Sequence, residues 1–481
     1  MCVGSVPDHA RTVSRVRTAL LVHTRDLRVH DQPALAAAAA GADRVVPAFV
    51  FDDRIWTREP GSPNRARFLL EAVADLDRSL RGRGSSLVLR RGDWLAEVMR
   101  LAVEVDARGI FVTSDVSPFA ERRERALRRA CDAGRRALRL VDGATVVPPG
   151  ALAPAGGSSY KVFTPYWRRW DEIPWREPVT VPGRLPGATG VPSLPAPSLR
   201  ELTSGATSPA LPPGGEREAR RRLDAWLAGG VERYGERHDD LAGDATSRLS
   251  AYLRFGCLSP LEAATRARAH GGEGARAFVR QLAWRDFFAQ MLHAFPSLAA
   301  RDLRPRAGGW REDPAALEAW QRGRTGYPIV DAGMRQLVAE GWMHNRARLV
   351  VASFLTKTLG IDWREGARWF MRWLVDGDVA SNAGNWQWMA GTGNDTKPNR
   401  VLNPLRQAAR FDPEGDFVRR YVPELATVPG AAVHEPWMLE AGRRRSLDYP
   451  ERIVDHAEGA RRFRERRAER LVRPEPEEVG A

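Results

Sequence analysis

Asn345 and Arg348 stand three residues apart in the string Gly341-Trp342-Met343-His344-Asn345-Arg346-Ala347-Arg348. On a helix that spacing puts both side chains on one face, with Arg346 pointing elsewhere. Further along come Asp376-Gly377-Asp378, then Ser381-Asn382, then Asn385-Trp386-Gln387-Trp388. So many Asn, Asp and Gly residues in an otherwise helical stretch indicate a loop that meets a ligand. An Arg348–Asp376 ion pair would let both charges sit beneath a bound cofactor without leaving either unpaired. Upstream, Gln281, Trp284, Arg285 and Phe288 repeat at helical spacing and form a stripe that could line a cavity.

The elements that must hold these residues divide in two, as a chain of 481 residues leads one to expect. Residues 18–145 alternate apolar runs (Leu20–His23, Val45–Phe51, Leu87–Leu89, Ile110–Thr113, Leu138–Val141) with amphipathic stretches such as Arg67–Leu80. That alternation predicts an α/β doubly wound domain, mainly parallel, with ligand sites beyond the carboxyl ends of its strands. No G-x-G-x-x-G follows the first strand, so a standard dinucleotide site is not expected there. Residues 146–216 are dense in Pro, Gly and Ser and read as an interdomain linker wrapping the surface. Within it Tyr160-Lys161-Val162-Phe163-Thr164-Pro165-Tyr166-Trp167 is aromatic enough to be anchored against something. Residues 217–470 read as an all-α domain. Gly256 stops one helix, Ser259, Pro260 and Glu262 match a capping box, and Asp313-Pro314 starts another. The tail, Arg443 to Ala481, reads as a highly charged helix with a frayed end.

Net charge is +14, almost all of it from arginine, Lys161, Lys357 and Lys397 being the only lysines. Guanidinium groups pair with phosphates in a bidentate fork, so a polyanion partner is indicated. There are 16 tryptophans against 7 tyrosines. Cys2, Cys131 and Cys257 form no metal-ligand pattern and read as reduced thiols in a cytoplasm, the first exposed and the others partly buried. Met1–Arg17 lacks the apolar core of a secretory signal. No apolar run approaches the roughly 20 residues needed to span a bilayer.

Thr325-Gly326-Tyr327-Pro328-Ile329-Val330-Asp331, Gly341 to Arg348, Ile361-Asp362-Trp363-Arg364 and Asp376 to Trp388 resemble the flavin-binding core of the photolyase–cryptochrome family. Arg25-Asp26-Leu27-Arg28 with Asp31 and Pro33, Tyr160 to Pro165, and Thr246-Ser247-Arg248-Leu249-Ser250 agree with it, in family order, over residues 18–465. The resemblance implies FAD bent into a U inside the helical domain. Tyr234 and Thr246, Ser247, Arg248, Leu249 and Ser250 would hold its phosphates, as hydroxyls and free N–H groups at a helix start can. Asn345 would face the redox-active flavin nitrogen, its amide able to donate or accept. Arg285, Arg348, Asp376, Gly377, Asp378 and Asn382 would complete the cofactor contacts. Trp386, Trp363 and Trp310 align with the family's photoreduction chain, while Trp369 and Trp373, four apart on one helix, read as packing residues.

The implied reaction is light-driven repair of cyclobutane pyrimidine dimers in damaged DNA, with an electron passing from reduced FAD to the dimer and back. Trp284 and Trp388 match the aromatic residues that sandwich the flipped-out dimer. Gln281 stands where glutamate often bonds the lesion, and Leu349 where methionine often touches it. Arg346 and Arg400, with Lys397, are candidate phosphate contacts. The twin histidines of six-four repair enzymes are absent at His344-Asn345, which favours the cyclobutane substrate. A photoreceptor with the same flavin chemistry and a signalling output is the alternative. The first domain resembles the family's antenna domain, and Ser114-Asp115-Val116-Ser117-Pro118-Phe119 resembles members with a deazaflavin antenna, folate and FMN being the other options. A monomer is expected.

Overall fold

The computed structural model of the protein describes residues 15–56, 61–187, 190–305 and 309–468. Five strands, Val16–His23 (β1), Ala42–Asp52 (β2), Val88–Gly92 (β3), Gly109–Thr113 (β4) and Ala137–Val141 (β5), form one sheet in the order β3-β2-β1-β4-β5. Every pairing is parallel. Val, Ile, Leu and Phe fill β1, β2 and β4 because helices cover both faces of the sheet, so neither side of these strands meets water. The covering helices start where short polar side chains can take the first free N–H groups. Ser62, Asp93 and Ser117 each accept from the N–H three residues on, and proline follows Ser62 and Ser117. Strand order reverses between β1 and β4, which opens a crevice at their carboxyl ends.

The linker stretch is tied down along its course. Val45 N–H bonds Pro186 O at 2.8 Å, Leu194 N–H bonds Leu89 O at 3.1 Å, and Ala210 N–H bonds Ala339 O at 3.0 Å. Its aromatic run forms the helix Phe163–Glu172, with Phe163, Tyr166, Trp167 and Trp170 buried. One apolar core therefore runs unbroken from Leu21, Phe49 and Phe111 of the sheet through Phe163 and Trp170 to Leu282 and Phe287. Asp286 fastens the same seam, accepting from Val146 N at 2.9 Å, Val147 N at 3.0 Å and Trp170 Nε1 at 3.0 Å.

The helical part docks on the turn after β1. Leu27 N–H bonds Phe255 O at 3.3 Å, and the fully buried Arg28 donates to Gly256 O at 3.0 Å. Gly256 sits at φ 65°, and a Cβ there would run into the backbone of Arg25 and Asp26, so only glycine lets the two domains approach this closely. A second core, built around Trp320, Val350, Phe354, Trp363, Phe370 and Trp386, fills the far side of the helical domain.

Three local expectations change. Ser259 caps its helix by accepting from Glu262 N at 3.2 Å, but the Glu262 carboxylate pairs with Arg220 and Arg266 and does not close a capping box. Cys131 and Cys257 are completely buried, because each faces a packed core. The charged tail is two helices, Ala441–Arg445 and His456–Ala468, separated by a segment in which Asp448 has φ 46° and Pro450 lacks the N–H a helix needs. Cys2 and the end of the tail lie outside the described residues.

Candidate functional site

Two adjoining open clefts share Asn345, Arg348, Leu349, Asp376, Asp378, Ser381 and Asn385 as lining. The helix Gly272–Ala294 forms one wall, placing Gln281, Trp284, Arg285 and Phe288 together in the larger cleft as their spacing predicts. The helix Asn345–Ser353 forms the floor, capped by His344, whose Nδ1 accepts from Arg346 N at 3.1 Å. The loop 374–378 and the helix Val379–Ala390 close the opposite side. Ser250 opens the helix Ser250–Phe255, so Tyr234, Ser247, Leu249 and Ser250 meet the cleft beside a helix start.

The predicted ion pair is present. Arg348 Nη2 donates to Asp376 Oδ2 at 2.8 Å and its Nε to Met343 O at 2.8 Å. Asp376 is buried, and its second oxygen finds no partner within the protein. Asp378 caps Val379–Ala390 through Ser381 N at 2.9 Å and accepts Arg25 Nη2 at 2.6 Å from across the domain seam. Burial alone would raise its pKa, but Arg25 and Arg285 outweigh that and hold the carboxyl well below the usual range. Arg25 also donates to both oxygens of Asp115, at 3.1 and 3.2 Å. Arg285 is held by Ala144 O at 2.6 Å and Leu253 O at 3.3 Å. Asn382 donates to Ala367 O at 3.1 Å, which leaves its amide oxygen for the cavity it lines.

Two buried polar atoms of the residues lining these cavities, Asp376 Oδ1 and Trp386 Nε1, lack partners within the protein, as do Thr246 Oγ1 and Trp226 Nε1 of a neighbouring cleft. Buried polar groups are ordinarily bonded, so such orphans point to an absent ligand with donors and acceptors of its own. A nucleotide cofactor fits this set, because a hydroxyl suits phosphate and a lone carboxylate oxygen suits a ring N–H or a ribose hydroxyl. Thr246 lies with Ser247 in an open cleft of ≈ 1040 Å³ that also exposes Arg233 and Arg237. Arg248 differs from expectation: at φ 49° its side chain turns to Asp244 at 2.6 Å and Glu340 at 2.5 Å and lies over Trp342. Its guanidinium therefore does not line the clefts.

The aromatic surface also departs from the sequence reading. Trp284 and Trp388 stack on each other, 4.9 Å between centroids and 21° between planes, which leaves no slot for a dimer between them. The other face of Trp284 is covered by Phe163 at 3.6 Å and 9°. Phe163, Trp284 and Trp388 thus form one platform, braced by the linker helix. Gln281 is exposed at the rim and Leu349 half-buried on the floor. Arg346 is turned away, paired bidentately with Asp239 (Nε to Oδ1 at 3.1 Å, Nη2 to Oδ2 at 2.5 Å) and lying over Phe411. Arg400 and Lys397 are exposed outside the lining.

Trp386 lines the smaller cavity and meets Phe370 edge-on at 4.9 Å and Trp320 at 6.1 Å. A Cβ on Gly366 would collide with the Trp386 indole, so the helix Trp363–Trp373 can press against it. Trp363, one turn earlier on that helix, is fully buried and donates Nε1–H to Asp302 Oδ1 at 2.8 Å. Trp310 is half-buried against the same core, and Trp369 and Trp373 pack half-buried at its edge, 6.1 Å apart. Sequence reasoning missed Phe163, Arg25 and Asp302 as site residues. The aromatic run around Phe163 and the Arg25-Asp26-Leu27-Arg28 string carried a signal, whereas nothing marked Asp302.

A parallel α/β domain clamped to a helical domain that holds a polar cleft beside an aromatic platform defines a two-domain ligand-binding protein. Residues 19–183 match the DNA photolyase family model and residues 278–469 the FAD binding domain of DNA photolyase. The chain is 51% identical to the deoxyribodipyrimidine photo-lyase of Streptomyces griseus over 92% of its length and 98% of that protein's, and 36% identical to Cryptochrome DASH of Gloeobacter violaceus, covering 91% and 93%. Among solved structures it superposes on a bacterial class III photolyase from Agrobacterium tumefaciens with TM-score 0.87 and 32% identity, covering 96% of this chain and 99% of that one. An archaeal photolyase from Sulfolobus tokodaii, solved with two FAD molecules, gives TM-score 0.82 and 32% identity, covering 94% and 100%. The chain belongs to the photolyase–cryptochrome family.

Proposed function

We propose that this protein is a light-driven DNA repair enzyme, a deoxyribodipyrimidine photo-lyase that splits cyclobutane pyrimidine dimers. The observation that carries the reading is the junction of the cofactor cleft with the aromatic platform: Asn345, Arg348, Asp378 and Trp388 line one continuous space. FAD, when bound, would supply the chemistry, a reversible one-electron donation to the dimer from its light-excited reduced form.

The protein's own groups bind and orient. Thr246, Ser247 and Ser250, with Tyr234 and the backbone at Arg248 and Leu249, hold the cofactor phosphates. Arg348 and Asp376, with Gly377, Asp378, Asn382 and Arg285, position its ring and ribose, and Asn345 presents its amide to the reactive edge. Trp388, backed by Trp284, offers a flat apolar surface to the dimer turned out of the helix. Gln281 donates and accepts at the dimer's polar edge, and Leu349 packs beneath it. Arg400 and Lys397 take backbone phosphates, and Arg346 does so only by leaving Asp239. Trp386, Trp363 and Trp310 would relay an electron inward, returning cofactor that has become oxidised to its reduced form.

The antenna reading rests on a further cavity of ≈ 900 Å³ at the β1/β4 switch point, lined by Arg25, Ser114, Asp115, Glu124 and His293. A deazaflavin fits this reading, with FMN or folate as the other occupants; the Sulfolobus tokodaii structure carries a second FAD. No helix among the described residues is long and apolar enough to cross a membrane. We assign residues 18–145 to the antenna domain, 146–216 to the linker and 217–470 to the catalytic domain of a cytoplasmic monomer.

The test is restoration of duplex DNA carrying a thymine dimer, under blue light, by protein with reduced flavin. Restoration in light and not in darkness is expected. Intact flavin without restoration would overturn the reading and favour the photoreceptor function of a cryptochrome, and restoration of six-four photoproducts would correct the substrate.

A further inference from the structure

The Trp363 indole sits among charges that its apolar burial does not require. Its Nε1–H donates to Asp302 Oδ1 at 2.8 Å, and the same oxygen accepts Arg364 Nη2 at 2.7 Å. Arg364 lies over the Trp363 ring, 4.7 Å from its centroid, and is bound on its other side by both oxygens of Asp362 at 3.1 Å. Asp302 and Arg364 therefore both meet a fully buried ring, and Asp362 engages the same guanidinium. Packing alone would be served by any acceptor for the indole N–H. A carboxylate in that place also stabilises a positive charge on the ring.

We propose that Asp302 is a positioning residue for electron transfer, making Trp363 a stabilised way station for the positive charge left by photoreduction. This rests on the tryptophan relay proposed above. Trp386, having given one electron to the light-excited flavin, takes one electron from Trp363 and is restored. Trp363 then holds the charge until Trp310 gives it one electron. No proton moves and no bond breaks. Arg364 by itself would oppose the oxidation, because a cation over the ring repels a second positive charge in a medium of low dielectric. Asp302 offsets it and gives the oxidised indole a charge-assisted hydrogen bond, the stronger kind.

The test compares Asp302→Asn, Asp302→Glu and Arg364→Gln in the holoprotein, following tryptophan radical and flavin absorption after a flash. Asp302→Asn keeps an acceptor for Nε1–H and removes the charge. It is expected to lower the yield of long-lived flavin reduction about tenfold, the factor carried by one hydrogen bond to a charged group, while Asp302→Glu restores most of it. Arg364→Gln is expected to hold or raise the yield. Ultraviolet resonance Raman in the dark, which reports indole N–H bonding, should show the Trp363 hydrogen bond weakened and not lost in Asp302→Asn. An unchanged yield in Asp302→Asn, or equal losses in Asp302→Asn and Arg364→Gln, would overturn the proposal and leave Asp302 a packing anchor. Trp363→Phe is the control: if it leaves photoreduction intact, the relay itself has failed, and with it the premise rather than the charge argument.

Discussion

Replacing Arg25 by Met should loosen the seam between the two domains and the cofactor carboxylate at once. One guanidinium there serves Asp378 and Asp115, and the three side chains are only 23%, 14% and 12% exposed. Removing one partner of a buried pair costs about 3–5 kcal/mol, because the other charge stays desolvated and unpaired. Partial exposure, and the help that Asp378 keeps from Arg285 and Ser381 N–H, place this site at about 3 kcal/mol. The pH dependence follows from the direction in which the two carboxyls shift. Burial would raise both carboxyls, but Arg25 reverses it, so both titrate below their ordinary range in the folded protein. Their contribution is complete above the unfolded carboxylate pKa near about 3.9 and fades as pH falls below it. Urea unfolding of wild type and Arg25→Met should therefore differ strongly at neutral pH, and the difference should shrink as pH falls below about 3.9. Adding Asp115→Asn to the variant should recover part of the loss, a coupling that a double-mutant cycle reads directly. A loss under about 1 kcal/mol at neutral pH, as for a surface pair, would refute the reasoning. An equal loss at neutral and acid pH would assign the effect to packing.

Three further outcomes are expected. His344 is pushed down to about 4, chiefly by burial, so it folds uncharged. The folded protein should then lose up to about 3 kcal/mol as pH falls from about 6.5 toward 4, and His344→Gln should flatten that slope in thermal melts; an unchanged slope would remove His344 from the acid response. Phe163→Ala should cost about 3–5 kcal/mol as a core truncation and weaken dimer binding about threefold to tenfold by freeing Trp284, measured by melting and by titration with dimer DNA. Equal affinity would show that Trp284 needs no brace. Gln281→Glu should raise repair yield by supplying a charged acceptor at the dimer edge, and a fall would mean the glutamine N–H donors are in use.

The sheet was legible because its strands are buried on both faces, so periodicity and burial agree in Leu20–His23 and Val45–Phe51. The cleft was legible for a different reason. Asn345, Arg348, Asp376 and Asp378 are polar residues that a helical core would not otherwise keep, and they converge as expected. What stayed hidden depends on contacts between segments distant in sequence. Phe163 lies far along the chain from Trp284, and no local pattern says that their rings stack or that Trp388 then has no gap to offer. Arg346 looked free because its partner, Asp239, sits in another loop. Arg248 looked like a phosphate ligand until its positive φ turned it outward. Asp302 belongs to a polar loop whose only distinction is the indole it meets.

The central claim is that an electron leaves the reduced flavin for the dimer and returns. Flash excitation of the reduced holoprotein bound to dimer DNA measures both events with the splitting itself. Quenching of the excited flavin should come first, dimer loss should follow it and flavin recovery should come last, and undamaged DNA should produce none of the three. Dimer loss without flavin quenching, or quenching without dimer loss, would contradict the account.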